Sequence, residues 1–521
     1  MYSQIKNTSL ALLAVAMGTS ACAGLSKKKK TEDKKPNILF LTVDDLKPVL
    51  GCYGNQNVLT PNIDQLAKSG VTFSNAYCQQ AICAPSRISV FTGLRPDRTK
   101  VWDLKTNMRD MNPEVVTLPQ YFKDNGYESV GLGKLLHGAK DDDPTSWSIP
   151  YRHDRELTYA DGFIYPANGK YQTPAIHEAM KKAQKQKLSW IQTNRYLKSL
   201  GLSPSVECMD IPDNAYEDGA VAEAGMDLME QLSQGDKPFF LALGFHKPHL
   251  PFVAPKKYWD LYDRDSVELP AFSKKAKNSP DYAYHSWGEL RNYSDIPQQG
   301  PVPLEKQKEL IHGYWASVSF MDAQVGKVLA KLDELGLREN TIVVLWGDHG
   351  WHLGDHGIWC KHTNFEQATK APLIISAPSY AHGQHTSSMA EFVDIFPTLC
   401  ELSGLDTPEV LEGESQVPAL EQPETMVKDY ALSQYPRGIN VMGYSLRTER
   451  YRLTVWLKGK FHEGIIHQDP QVEAIELYDY QKDPDETVSL ATDPAYTNTV
   501  KTLKSKLFKL LNSQTAKYET K

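Results

Sequence analysis

Cysteine is scarce: the 521 residues hold seven, with no CxxC pair and no regular spacing. That excludes a thiolate zinc site and a disulfide framework. Apart from Cys22, the thiols at Cys52, Cys78, Cys83, Cys208, Cys360 and Cys400 are scattered and read mostly as buried free cysteines. An excess of basic charge is also lacking. Lys and Arg total 57 against 64 Asp and Glu, for a net charge of −7, which argues against a nucleic-acid partner. It leaves room for an anionic substrate in a locally positive pocket. No apolar run is long enough to span a bilayer, so no transmembrane segment is expected in the mature chain.

The one conspicuous apolar run, "LALLAVAMG", follows Lys6 and precedes "TSACAG". This is the layout of a bacterial secretory signal, placed at residues 1–25. Ala21-Cys22 suits a lipid anchor on Cys22, Thr19 does not, and lipidation and simple cleavage weigh equally. "SKKKKTEDKK" at 26–35 reads as a solvated tether. The expected location is the periplasm, or a lipid-anchored position in a bacterial envelope.

What is present is a strand–helix alternation. "NILFLTVDD" is nearly all apolar from Ile38 to Val43, as in a parallel strand covered on both faces. "TPNIDQLAKSG" follows as a helix, with Thr60 expected to cap it, Pro61 in its first turn and Gly70 to stop it. "TLPQYFKDNGY" repeats that grammar, and "ESVGLGK", "KPFFLALGFHKPH" and "NTIVVLWGDHG" add short apolar runs closed by glycine and polar residues. "ASVSFMDAQVGKVLAKLDELG" has helical periodicity. The pattern predicts a doubly wound α/β catalytic domain over 36–436, with residues 140–235 as insertions over the sheet's edge. "GYSLRTERYRLTVWL" and "AIELYDYQKDP" predict antiparallel strands, and "NTVKTLKSKLFKLLNS" a closing helix, in a smaller α+β subdomain over 437–521.

Ligands in open α/β sheets bind beyond the carboxyl ends of the strands. Four predicted strands end in reactive residues: Asp44-Asp45; Lys134 and His137; His246, Lys247 and His249; Asp348-His349. Each ending alone could be a cap or a turn, but four at one rim are hard to explain that way. Three converging carboxylates repel unless a cation sits among them, and hard oxygen donors favour Ca2+, or less well Mg2+, over zinc. Asp44, Asp45 and Asp348 are therefore the expected metal ligands, with His349 adjacent. "CAPSR" puts Cys83 at a helix start, Pro85 in the first turn and Gly93 at the end. Such an N-terminus favours an anion, and Arg87 can turn back toward the opening. Ser89 stands where a phosphocysteine phosphatase would need its arginine, so that chemistry is excluded.

"CAPSR" followed by "FTG" resembles the sulfatase signature C/S-x-P-x-R, and the resemblance runs from Asn37 to about Pro484. Within the family, "VDDLKPVLGCYG", "QQAICAPSR", "GFHKPHLPF", "DHGWHLGDHGIWCKHTNFE", "SQYPR" and "MGYSLRTERYRLTVW" are most similar to the iduronate-2-sulfatase subfamily, including His349 where many sulfatases carry Asn.

The resemblance implies an alkaline-phosphatase-like fold and a formylglycine made from Cys83 by a formylglycine-generating enzyme, which reads Pro85 and Arg87. The formylglycine hydrate would be the nucleophile. Asp44, Asp45, Asp348, His349 and the modified Cys83 would hold Ca2+. Arg87 and Lys134 would orient the hydrate, His246 would protonate the leaving oxygen, Lys361 would grip the sulfate and His137 would act as base. Lys361 and His362 would lie near the substrate carboxylate. The implied substrate is a 2-O-sulfated uronate, iduronate or unsaturated, at the non-reducing end of a sulfated glycosaminoglycan oligosaccharide. The alternatives are a sulfatase for another glycan position, a formylglycine-dependent phosphonate or phosphate ester hydrolase, and a non-catalytic binder of sulfated glycans.

Overall fold

The computed structural model describes residues 35–137, 143–286, 288–464 and 466–519. The expected signal, the Cys22 lipid site and the tether up to residue 34 lie outside them. Among the described residues no helix is long and apolar enough to cross a membrane.

Seven strands make the main sheet: β1 (Asn37–Val43), β2 (Val71–Tyr77), β3 (Glu128–Gly133), β4 (Phe239–Phe245), β5 (Thr341–Gly347), β6 (Leu373–Ser376) and β7 (Gln384–Glu391). Their spatial order is β7-β2-β6-β5-β1-β4-β3. All run parallel except β6, which is antiparallel to both its neighbours. The four strands expected to carry the reactive endings are thus consecutive neighbours, β5-β1-β4-β3. Their registers are level: Val43 lies opposite both Phe245 and Gly347, and Gly133 opposite Gly244.

Alternation along β1 explains why the strand is apolar throughout. Leu39, Leu41 and Val43 enter one core with Val221 and Leu228 of α5 (Glu217–Ser233) and Val318, Met321 and Val325 of α6 (Leu304–Glu334). Ile38 and Phe40 enter the core on the opposite face with Ile88 and Phe91 of α2 (Cys83–Thr92). Helices on both faces are what a parallel sheet requires. The helical pattern predicted from Ala316 extends further, since α6 starts at Leu304.

Three expectations need correction. In α1 (Pro61–Lys68) Thr60 makes no capping bond; its hydroxyl instead accepts from the Gly51 N–H at 2.9 Å. Gly70 does not stop that helix through a left-handed turn. It is glycine because a Cβ there would press on the Ile375 backbone of β6. The stretch 140–235 is only partly an edge insertion: it holds α3 (Pro174–Lys185) and α4 (Trp190–Ser199), but also α5, which packs in the core against β3 and β4.

The smaller sheet is antiparallel, in the order β8 (Ala431–Arg437), β9 (Val441–Arg447), β10 (Tyr451–Lys458), β11 (Gln471–Asp479), so its first strand precedes residue 437. Leu503, Leu507 and Leu511 of α7 (Thr497–Glu519) cover one face, against Leu446, Leu453 and Leu477. Two features join this sheet to the main one. Ser433 Oγ donates to the Cys78 carbonyl at 2.6 Å and the Gln434 N–H to that of Gln79 at 2.7 Å, which pins the link between β2 and α2. The Glu366 carboxylate accepts from Tyr77 of β2 at 2.8 Å, from Arg447 of β9 at 3.1 Å and from Arg452 of β10. Removing it leaves the buried Arg447 guanidinium without a carboxylate, while Arg452 keeps Glu486 at 3.0 Å. Glu366→Ala is expected to cost about 3 kcal/mol, read as a lowered urea midpoint, whereas a neutral result would show that the clasp is dispensable.

Candidate active site

The strand endings meet around Cys83. Asp44, Asp45, Asp348 and His349 are all fully buried, and Cys83 is 1% exposed. Asp45 takes a left-handed φ of 57°, which an aspartate tolerates better than most residues. Two bonds hold it there: its N–H donates to Asp348 Oδ1 at 2.9 Å, and Tyr314 of α6 donates to its carbonyl at 2.7 Å. Cys83 Sγ lies 3.9 Å from Asp45 Oδ1 and 3.5 Å from His349 Nε2. Donor atoms of Asp45, Cys83, Asp348 and His349 fall within 4.8 Å of one another, and those of Asp44, Asp45, Cys83 and His249 form an overlapping group.

This donor set fits a divalent cation. Burial pushes the Asp45 carboxyl well above its ordinary range despite Lys361, and burial raises Asp348 to about 6 despite Arg87. Both carboxylates are therefore short of positive charge, which a bound cation supplies. The tautomer of His349 suits the same role. Its Nδ1–H donates to the Gly350 carbonyl at 3.0 Å, which turns the Nε2 lone pair toward Asp45 and Asp348, at 3.4 and 3.5 Å. Burial holds this imidazole neutral.

Arg87 braces the cluster from below. Its Nη2 donates to Asp44 at 3.1 Å and its Nε to Asp348 at 3.0 Å, while Nη1 serves Thr42 at 3.2 Å and the Lys134 and Leu135 carbonyls. The side chain is fully buried and points to these partners rather than back toward the opening. Asp44 also binds the Lys134 ammonium. Burial alone would raise its pKa, but Lys134 and Arg87 outweigh that and keep it well below the usual range. Lys134 reaches Asp44 because Gly133, at φ 76°, turns the chain at the end of β3. Gly244 permits that turn, since a Cβ there would overlap the Lys134 backbone.

The remaining groups surround this floor. Lys361 Nζ donates to both oxygens of Asp45, at 2.8 and 2.9 Å, and to Glu289 at 3.1 Å, and lies 4.9 Å from the centre of the Trp351 ring. Its neighbours Cys360 and His362 have φ of 72° and 75°, a strained backbone of the kind that collects at functional sites. His362 Nε2–H donates to Glu289 at 3.1 Å, and Tyr435 O–H donates to its Nδ1 at 2.6 Å. Lys361 and His362 are thus both matched by Glu289, whose carboxylate also lies 3.3 Å from His249 Nε2. Burial together with the Lys134 charge depresses His137 to about 3. It is therefore neutral, and among the described residues its Nδ1 has no hydrogen-bond partner.

His246 is the opposite case. Burial disfavours its charge, but Asp154, 3.1 Å from Nε2, and Glu217 outweigh that and raise it to about 9. Asp218 fixes the backbone here, accepting from the N–H groups of His246 and Lys247 at 2.7 and 2.9 Å. Asp154, Asp218 and Glu289 escaped the sequence reading. Asp218 sits on a helix taken for part of an insertion, and the other two lie in irregular segments with no motif of their own. In each case the signal is a partner rather than a pattern.

The Sulfatase family model matches residues 36–405, and a model of the N-sulphoglucosamine sulphohydrolase C-terminal region matches 354–513. These matches, with relatives at 33–35% identity, make the chain a hydrolase of sulfuric esters. The chain belongs to the sulfatase family. Iduronate 2-sulfatase of Mus musculus is 35% identical, covering 91% of this chain and 92% of that one. The Homo sapiens enzyme of the same name is 33% identical, covering 89% and 93%. Among solved structures, a 2-O GAG sulfatase superposes with a TM-score of 0.64 at 22% identity, covering 94% of each chain. The phosphonate monoester hydrolase of Agrobacterium radiobacter gives 0.68 at 22%, covering 92% and 96%. At such identity these two structures bear on the fold alone.

The His246–Asp154 pair generates a pH prediction. A group raised to about 9 stays protonated through neutral pH and loses its proton as pH rises through that value. In Asp154→Asn the alkaline limb of kcat/KM should move down toward the ordinary histidine value of about 6.5. An unmoved limb would separate His246 from the titration.

Proposed function

We propose that the protein removes the 2-O-sulfate from a uronic acid, iduronate or unsaturated uronate, at the non-reducing end of heparin/heparan or chondroitin/dermatan sulfate fragments. The nucleophile is a formylglycine made from Cys83 by a formylglycine-generating enzyme. The observation that carries this reading is the 35% identity to an iduronate 2-sulfatase over nine-tenths of both chains, joined to a Cys83 that sits against Asp45 and His349.

A sulfate monoester of a sugar alcohol resists hydrolysis twice over: its anionic oxygens repel a nucleophile, and its alkoxide leaves poorly. Asp44, Asp45, Asp348, His349 and the modified Cys83 hold the cation, Ca2+ by the hardness of the donors, with Mg2+ second. When bound, it supplies positive charge against the sulfate oxygens. The formylglycine supplies a doubly hydroxylated carbon in place of a thiol.

The chain's other residues do the rest. Arg87 holds Asp44 and Asp348 in place for the cation and the nucleophile, and with Lys134 it keeps Asp44 ionised. Lys134, bound to Asp44, orients the nucleophile and faces the incoming sulfate. Lys361 grips the sulfate by giving up one of its carboxylate bonds, and His362 acts on the substrate with it through their shared Glu289. His246, protonated up to about pH 9, delivers its proton to the sugar oxygen as the ester bond breaks. His137, neutral, takes up a proton in the step that frees sulfate and restores the nucleophile.

The direct test is sulfate release from disaccharides that differ only in sulfate position and uronate type. Release confined to 2-O-sulfated uronates is expected, and release from another position overturns the specificity. A faster reaction on an aryl phosphonate than on the matched aryl sulfate overturns the reaction class. His246→Ala should lower turnover of the sugar sulfate about 10²–10⁴-fold and that of an aryl sulfate, with its better leaving group, far less. Equal losses would remove His246 as the acid. Chelation should lower Tm, and Ca2+ should restore it, because the buried carboxylates lose their counter-charge.

A further inference from the structure

Beside the catalytic cluster lies a cavity of about 470 Å³, within the size range of small-ligand sites. His249 and Glu289 line its inner end. These are the residues that touch Asp45 and Lys361, so the cavity opens from the reaction site itself. Its outer wall is α4, with Arg195 and, at the lip, Trp190, which is 73% exposed. Ile191 beside it is 63% exposed, so the lip carries an apolar patch rather than an isolated ring, and the flat indole face suits the apolar face of a sugar ring.

Lys170, also in the wall, is the decisive group. Its ammonium lies 5.5 Å from the centre of the Tyr293 ring and, among the described residues, makes no hydrogen bond or ion pair. Burial first, then the nearby Lys247 charge, pushes it down to about 8 against the pull of Glu289 and Glu217, as for a cation whose counter-charges stand too far off to bond it. Lys134 adds to that repulsion, which sets Lys170 within electrostatic reach of the sulfate-binding rim. Arg195 likewise has no ion-pair partner among the described residues, whereas neighbouring Lys198 is spent on the Arg291 carbonyl at 2.7 Å and Gln298 at 2.9 Å. The one carboxylate in the wall, Glu289, is already matched by Lys361 and His362. The cavity therefore offers unmatched positive charge and an aromatic platform.

We propose that this cavity is the subsite for the sugar ring that follows the scissile one, with Lys170 and Arg195 holding an acid group, sulfate or carboxylate, on that ring while Trp190 stacks on its face. The assignment rests on the sulfatase reading of the neighbouring cluster and adds to it where the second ring lies and which residues read an acid group on it.

The test compares disaccharides with an identical scissile ring whose second ring is sulfated, carboxylated or uncharged. The wild-type protein should prefer a charged second ring by about tenfold in kcat/KM, as for one charge-assisted bond. Which acid is preferred identifies the group recognised. In Lys170→Met that preference should collapse toward one through KM, while Lys170→Arg should keep part of it. Trp190→Ala should weaken disaccharides relative to the monosaccharide whatever their charge. A wild type indifferent to the second ring, or a preference that survives in Lys170→Met, overturns the subsite. Sulfate release from a ring position other than the uronate 2-O overturns the specificity proposed above, yet the Lys170 ratio is still read on that ester. A protein that releases sulfate from none of them overturns both.

Discussion

The constraint on which this structure turns is the confinement of Asp44, Asp45 and Asp348 in one buried space. Like charges so close and so dry cannot all stay ionised on their own, and the surrounding architecture answers that problem. Arg87 spends its fork of donors on two of the three carboxylates and on the backbone beneath them. Lysine could not replace it, because an ammonium lacks the planar spread to bridge two acids while binding carbonyls behind them. The third carboxylate, Asp45, depends on Lys361 and leans toward neutrality without further positive charge. The place left for a cation is thus a property of charge balance as much as of shape.

Three histidines in one small volume show how the surroundings divide their work. His246 has Asp154 and Glu217 behind it and carries a proton. His137 faces Lys134 and carries none. His349 is fixed by a backbone carbonyl so that one nitrogen is a lone pair. A charged imidazole, a neutral one and one with a fixed lone pair are obtained from one residue type by changing only what stands next to it.

Much of this was legible in the sequence because a parallel sheet is a ruler. Once "NILFLTVDD", "ESVGLGK", "KPFFLALGFHKPH" and "NTIVVLWGDHG" are read as strands of one sheet, Asp44, Lys134, His246 and Asp348 must end at one level, and they do. Cys83 was legible through Pro85 and Gly93, which bracket its helix; Gly93 closes it at φ 65°. Helix α5 was lost within residues 140–235 because half of its buried residues are the small Gly219, Ala220, Ala222, Ala224 and Gly225, beside Val221, Leu228 and Met229, which leaves little apolar contrast. Those residues are small because α5 lies so close to β4 that a Cβ at Gly225 would meet Leu243 at 2.7 Å. Asp154 and Glu289 were lost for a different reason. Their positions are set by the tertiary course of irregular segments, and nothing in the residues beside them marks where those segments go.

The bonds from Ser433 and Gln434 to the link before α2 tie the burial of Cys83 to the order of synthesis. Those two residues are made about 350 residues after Cys83. At roughly 5–20 residues per second, the residues that complete the hydrogen bonding of the thiol's supporting segment are made on the order of half a minute after the thiol itself. In the folded protein the Cys83 side chain is 1% exposed, and the segment that carries it is locked by residues from the far end of the chain.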